Sequence, residues 1–257
     1  MRKTTASLLG AFAALTAGAA NAALCVGYGP QTPRDITDAA GANPRVFSPA
    51  PPASELNLCN IHTHTNAEHK GPEFTVFAGP GPDGGFECDA AASLTEAERS
   101  PMPGAYEGAA PGQTIEVHWV YSSCDVAPGE GLGACLSDKC ANPQLRVEAQ
   151  VFLVVNDPAA ADIGDFDYSG AAEDGLHQPK ALPEGGEPVV FAGSTTGPSY
   201  DAATCSPLQV TWSVRPSCQK IHIGSLHEWA EDNAFAETKS HGVRALVTAP
   251  ELLSPIE

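Results

Sequence analysis

The chain has 257 residues, with 31 acidic against 13 basic side chains, a formal net charge of −18 and eight cysteines. A surface this acidic repels nucleic acid and anionic lipid, which excludes both as partners. After the first residues no run approaches eighteen apolar positions, which excludes a membrane-spanning helix.

In chain order, Arg2 and Lys3 precede an apolar stretch from Leu8 to Leu15 and a small-residue run ending Ala20-Asn21-Ala22. This is the pattern of a secretory signal peptide over residues 1–22, too short to span a bilayer. The remaining chain, 23–257, is read as one domain, periplasmic or secreted, with a net charge of about −20 once Arg2 and Lys3 are gone. All eight cysteines follow the signal, and an even count in an exported chain points to disulfides. Eight cysteines allow 105 pairings, so the connectivity stays open.

Residues 23–56, rich in Pro, Gly and Ala, are expected to wrap the core as an extended segment tied down by Cys25. Leu56 to His64 alternates as a strand. Thr114 to Tyr121 alternates too, with Glu116 and His118 on one face. Leu145 to Val155 is the strongest core strand, and 188–191, 208–214 and 219–223 are further strands. Residues 80–112 and 123–143 are Gly/Pro/Cys-rich loops, and the acidic stretch 156–187 is expected to be mostly loop. Ser225 to Glu237 is the helix, with Leu226, Trp229 and Phe235 as its apolar positions. The expectation is a mainly β (α+β) domain around a twisted, largely antiparallel central sheet, with long loops and few helices.

The chemistry concentrates in NLCNIHTHTNAEHKG, residues 57–71, which holds three of the eight histidines. Residues two apart in a strand share a face, so His62 and His64 project together with backbones about 6–7 Å apart. Two imidazoles need a third ligand from a neighbouring strand. His118 is the best candidate and His69, five residues past His64, is its rival. Three neutral imidazoles plus one open position is the arrangement of a catalytic zinc site. Such sites hold each imidazole in one tautomer through an outer acceptor. Asn60 and Glu116, each two residues before a histidine, are placed for that, and His69 is assigned an outer or structural role. Glu68 is either a turn carboxylate or a buried acceptor orienting a hydroxyl near the metal. His177, His222, His227 and His241 are scattered and read as solvated or core residues.

The runs CNIHTHTNAEH, EVHWVYSSC, NPQLRVEAQVFLVV, GSTTG and CSPLQVTWSV, in that order, resemble the delta-class carbonic anhydrases, including their bacterial members. The order is also similar to that of the alpha class, with its Q-x-H-x-H strand, E-H pair, E-x-H-x-x-H-W strand and G-S-L-T-T-P run. The resemblance spans Leu56 to Ile223. It implies an alpha-carbonic-anhydrase-like fold and one zinc ion per chain, bound by His62, His64 and His118. Asn60 and Glu116 would support the ligands. The substrate and product would be carbon dioxide and bicarbonate. Glu68 would accept a hydrogen bond from a gatekeeper threonine, for which counting along GSTTG favours Thr196 over Thr195, with Thr204 third. Val120 would line an apolar pocket for carbon dioxide.

Two other readings fit parts of the chain. His62-x-His64-x3-Glu68, with Pro111-Gly112 ahead of His118, matches a cupin core. Glu68 would then be a fourth ligand and the metal iron or manganese. An exported, non-catalytic metal-binding module is the other.

Overall fold

The computed structural model describes residues 25, 27–140, 142–195, 200 and 204–257. The predicted signal segment lies outside them. The chain forms strands β1 (Asn57–Thr65), β2 (Val76–Gly79), β3 (Gly85–Glu87), β4 (Thr114–Ser122), β5 (Leu145–Val155), β6 (Tyr168–Glu173), β7 (Leu176–Pro179), β8 (Val189–Ser194) and β9 (Gln209–His222), and then helix α1 (Ile223–Glu231).

Five of these strands make a central sheet in the order β1-β4-β5-β9-β8, while β2–β3 and β6–β7 are separate hairpins. Within the sheet β5–β9 pairs parallel and the other neighbours pair antiparallel. The result is the expected mainly β architecture on a mixed, largely antiparallel sheet.

Both faces of the sheet are covered, and every residue of β4 is buried although its sequence alternates; only the end of β5, from Val151 to Val155, reads as a continuous apolar run. On the rear face Ile115, Val117, Trp119, Tyr121, Phe152 and Val154 pack against Ile223, Leu226 and Trp229 of α1. On the front face Val120, Val147, Ala149, Val151, Val210, Trp212 and Val214 pack under Ile36, Phe74 and Phe86. The register of β1 shifts between Leu58 and Asn60. A bulge of this kind re-aims side chains. Here Leu58 and Ile61, three apart, both join the rear core, and Asn60, His62 and His64 face a front cleft.

Three expectations need correction. The helix stops at Glu231, six residues early. The side chain of Asn233 donates to the Trp229 carbonyl at 2.8 Å, satisfying the helix end from outside. Phe235 is buried as expected, but in the turn that follows the helix. Second, the runs 208–214 and 219–223 are one 14-residue strand. Its register shifts opposite Ala149–Val151, where Pro216 falls; a bulge tolerates a residue with no N–H. Third, the stretch 156–187 contains the hairpin β6–β7. Glu173 pairs with Leu176 across Asp174 (φ +51°) and Gly175 (φ +86°). Two positive φ values in a two-residue loop are what a type I′ turn requires.

All eight cysteines are paired: Cys25–Cys205, Cys59–Cys135, Cys88–Cys218 and Cys124–Cys140. Cys25 does anchor the N-terminal segment. Cys88–Cys218 spans 130 residues of sequence. Removing it as a Cys88→Ala/Cys218→Ala pair is expected to cost about 2–5 kcal/mol. In a domain this size that lowers the melting temperature by roughly 4–20 °C, read by calorimetry without reductant. An unchanged melting temperature would show that this bridge does not constrain the unfolded chain.

Candidate metal centre

The register of β1 against β4 sets His62 directly opposite His118. His64 lies on the same face of β1, two residues on. Ring centroids are 5.0 Å apart for His62–His64, 5.1 Å for His62–His118 and 4.7 Å for His64–His118. One nitrogen from each ring lies within 4.8 Å of the others. All three rings line a cavity of about 710 Å³.

Each ring is held from outside the cluster. His62 Nδ1 lies 2.7 Å from Asn60 Oδ1. The Asn60 amide is itself oriented, because its Nδ2 donates to Gly129 O at 3.0 Å. His64 Nδ1 donates to the Gly242 carbonyl at 3.1 Å. His118 Nε2 faces Glu116 Oε1 at 3.6 Å. Asn60 Oδ1 and the Gly242 carbonyl accept the Nδ1 protons of His62 and His64, while the Glu116 carboxylate, beyond hydrogen-bond range, favours the His118 proton on Nε2 by charge alone. That leaves His62 Nε2, His64 Nε2 and His118 Nδ1 as lone pairs inside. His62 Nε2 and His118 Nδ1 are 3.3 Å apart. In the tautomer with both protons outward this pair is two facing lone pairs; with the His118 proton on Nδ1 it is a hydrogen bond. Two bare lone pairs at that distance repel unless a cation stands between them. Tetrahedral zinc with Zn–N of about 2.0–2.1 Å sets its nitrogens about 3.3 Å apart, so the donor set fits that ion.

Electrostatics agree. Burial pushes His62 well below the ordinary imidazole range, helped by the neighbouring histidines. Burial also lowers His64 and His118, against the pull of Glu116. Neutral imidazoles are the form that binds metal. Burial pushes the Glu116 carboxyl up, but His118 and His69 outweigh it and hold it well below the usual carboxylate range.

Glu116 is fully buried and gathers three donors. Its Oε2 accepts from the Glu68 N–H at 2.5 Å, and its Oε1 faces His69 Nδ1 at 3.3 Å as well as His118. A second grouping, His69–Glu116–His118, therefore also brings three ligand-type atoms within 4.8 Å. His69 and Glu116 do not line the cavity, so His69 sits behind the cluster, edge-on to Trp212 with ring centroids 4.6 Å apart. Glu68 is buried beside it and is not among the groups that converge. The cupin arrangement, with Glu68 as fourth ligand, has no counterpart in that convergence.

Thr195 is buried and lines the cavity, its N–H donating to Leu208 O at 2.9 Å. Thr196 and Gly197 lie outside the described residues. Thr204 is exposed and away from the cavity lining. Val120 lines the cavity with Val147 and Trp212; these two were legible only as front-facing positions of β5 and β9. His177 meets Tyr168 Oη at 2.7 Å. His227 holds the Met102 carbonyl and the Tyr106 N–H. His222 precedes α1. These are structural positions, as expected. His241 is not remote. It lies on the cavity rim with half its side chain exposed, its Nε2 3.0 Å from Glu237 Oε2, a contact that raises its pKa.

A mixed sheet presents three imidazoles in one cleft that could hold a metal ion. Residues 53–225 match the family described as delta carbonic anhydrase. The chain belongs to the delta carbonic anhydrase family and is a carbonic anhydrase, acting on carbon dioxide and bicarbonate. No curated protein matches the sequence. Among solved structures, the Photobacterium profundum alpha-carbonic anhydrase aligns at 16% identity over 84% of this chain and 86% of that one, with a TM-score of 0.29. The alpha-carbonic anhydrase of Thermovibrio ammonificans, solved with the inhibitor sulfanilamide, aligns at 15% identity over 81% and 82%, with a TM-score of 0.28. At such scores the likeness adds nothing to the family match.

Proposed function

We propose that His62, His64 and His118 hold one zinc ion, and that this centre hydrates carbon dioxide reversibly in an exported, single-domain enzyme spanning residues 23–257. The observation that carries the reading is the convergence of one nitrogen from each of His62, His64 and His118 within 4.8 Å, with acceptors facing their outer nitrogens. A zinc ion held there supplies the Lewis acidity that makes hydroxide available at neutral pH. Asn60, the Gly242 carbonyl and Glu116 keep the three rings in the binding tautomer. Val120, Val147 and Trp212 give the cavity an apolar floor that excludes water and receives carbon dioxide. Glu68, buried next to Glu116, is the proposed acceptor for the orienting hydroxyl of Thr196, with Thr195 as the alternative at the cavity wall. Export is supported by the four disulfides, which persist in oxidising compartments. Among the described residues no helix is long and apolar enough to cross a membrane.

The test is metal analysis with stopped-flow carbon dioxide hydration on the purified chain. One zinc per chain is expected, with activity lost on chelation and restored by zinc. Full hydration by chain shown to be metal-free would refute the reading, and stoichiometric iron or manganese in place of zinc would refute the zinc assignment.

A further inference from the structure

Of the three outer acceptors, two are side chains within two residues of the ligand they serve. The third is the carbonyl of Gly242, 178 residues from His64. A carbonyl on an irregular segment orients a ring only if the segment is itself fixed. What fixes it is visible. After α1 the chain turns at 233–237, where Asn233 Oδ1 accepts from the N–H groups of Phe235 and Glu237 and its Nδ2 donates to Glu237 O. Ala236 sits at φ +53°, a left-handed position that a non-glycine residue keeps only when its surroundings impose it. The turn aims Glu237 at the outer edge of β1. Its Oε1 accepts from the Thr63 N–H at 2.9 Å and from Thr63 Oγ1 at 3.1 Å. Its Oε2 meets His241 Nε2. The chain then runs parallel to β1. His241 N donates to Thr63 O at 2.8 Å, and Thr65 N donates to His241 O at 2.7 Å. The Glu237 carboxylate therefore takes the place of a backbone carbonyl as the first rung of this ladder. One residue past the last rung is the Gly242 carbonyl.

We propose that Glu237 is a positioning residue of the metal centre: by binding Thr63 and His241 it locks the 237–242 strap, so that the Gly242 carbonyl holds the His64 ring with Nε2 toward the metal. The proposal rests on the reading that the triad binds a metal. Glu237 lines the strap side of the cavity but is not among the groups whose ligand atoms converge, and its charge is felt at His64; the neutral Glu237→Gln variant separates that charge from the strap.

The experiment titrates the full chain with zinc against a chelator. Glu237→Leu, similar in size but without acceptors, is expected to weaken zinc binding about 10–100-fold, the range for losing an outer partner of a ligand. Glu237→Gln, which keeps an acceptor for Thr63, is expected to stay within about threefold of wild type. Val154→Ala, which loosens the rear core away from the strap, is expected to leave zinc affinity unchanged and so separates positioning from general destabilisation. Nitrogen NMR of His64 in the metal-free chain gives a second readout: the Nδ1–H tautomer persists in wild type and Glu237→Gln and becomes mixed in Glu237→Leu. Unchanged zinc affinity in Glu237→Leu overturns the proposal, as does an equal loss in Val154→Ala or in Glu237→Gln. If wild type itself takes up no zinc, the metal reading fails, and the tautomer alone then decides whether the strap orients the ring. Should Glu237→Leu not fold, Asn233→Ala, which frees the turn presenting Glu237, is expected to lose about tenfold, and unchanged affinity there overturns the proposal.

Discussion

His118→Ala is expected to lose zinc and carbon dioxide hydration together. His62 and His64 project from one strand, while His118 faces them from β4. Without it two imidazoles remain, below the three protein ligands of a catalytic zinc site. The loss of affinity should exceed the roughly 10–100-fold seen when only an outer partner is removed. His118 is buried, so truncation is also expected to cost stability in the metal-free chain. The readout is a melting curve with and without zinc, beside metal analysis and stopped-flow hydration. Zinc at 100 times Kd stabilises a chain that binds it by about 2.7 kcal/mol, and that increment should vanish in the variant. A metal-free His118→Ala chain with full activity would remove His118 from the mechanism.

Glu116→Gln is expected to weaken zinc binding about 10–100-fold while shifting few atoms. The carboxylate accepts from the Glu68 N–H through one oxygen and faces His69 Nδ1 and His118 Nε2 through the other. An amide has one acceptor and one donating end. Either end chosen for the NH₂ meets a donor. Turned toward Glu68 it leaves a buried N–H unmet, at about 1–3 kcal/mol. Turned toward the histidines it pushes the His118 proton onto Nδ1, the nitrogen that faces the cluster. Zinc competition and a melting curve on the metal-free chain measure the two costs. Wild-type affinity in this variant would mean that His118 needs no carboxylate behind it.

How far the sequence carried this can be argued residue by residue. Strand parity placed Asn60, His62 and His64 on one face and Glu116 with His118 on another, and these are the side chains that meet. Parity survives because both strands are buried on both faces, where a one-residue slip would exchange core for cleft. Gly242 left no trace, since a backbone carbonyl looks the same at every position. His241 and Glu237 were invisible for a related reason: the helix pattern seemed to run through Glu237, and only the Asn233 side chain reveals where it stops. The β6–β7 hairpin was legible and missed, because Asp174-Gly175 is a strong turn signal even inside an acidic stretch. The disulfide pairs depend on the tertiary fold alone.

Cys59 adjoins Asn60, and its bridge to Cys135 holds the loop that contains Gly129. That loop touches β1 twice there: Gly129 N–H donates to Cys59 O, and Gly129 O receives the Asn60 amide. The amide in turn sets which His62 nitrogen is free. One covalent bridge therefore bears, through Gly129 and Asn60, on the orientation of the His62 ring, which joins the oxidation state of two cysteines to the geometry of the histidine cluster.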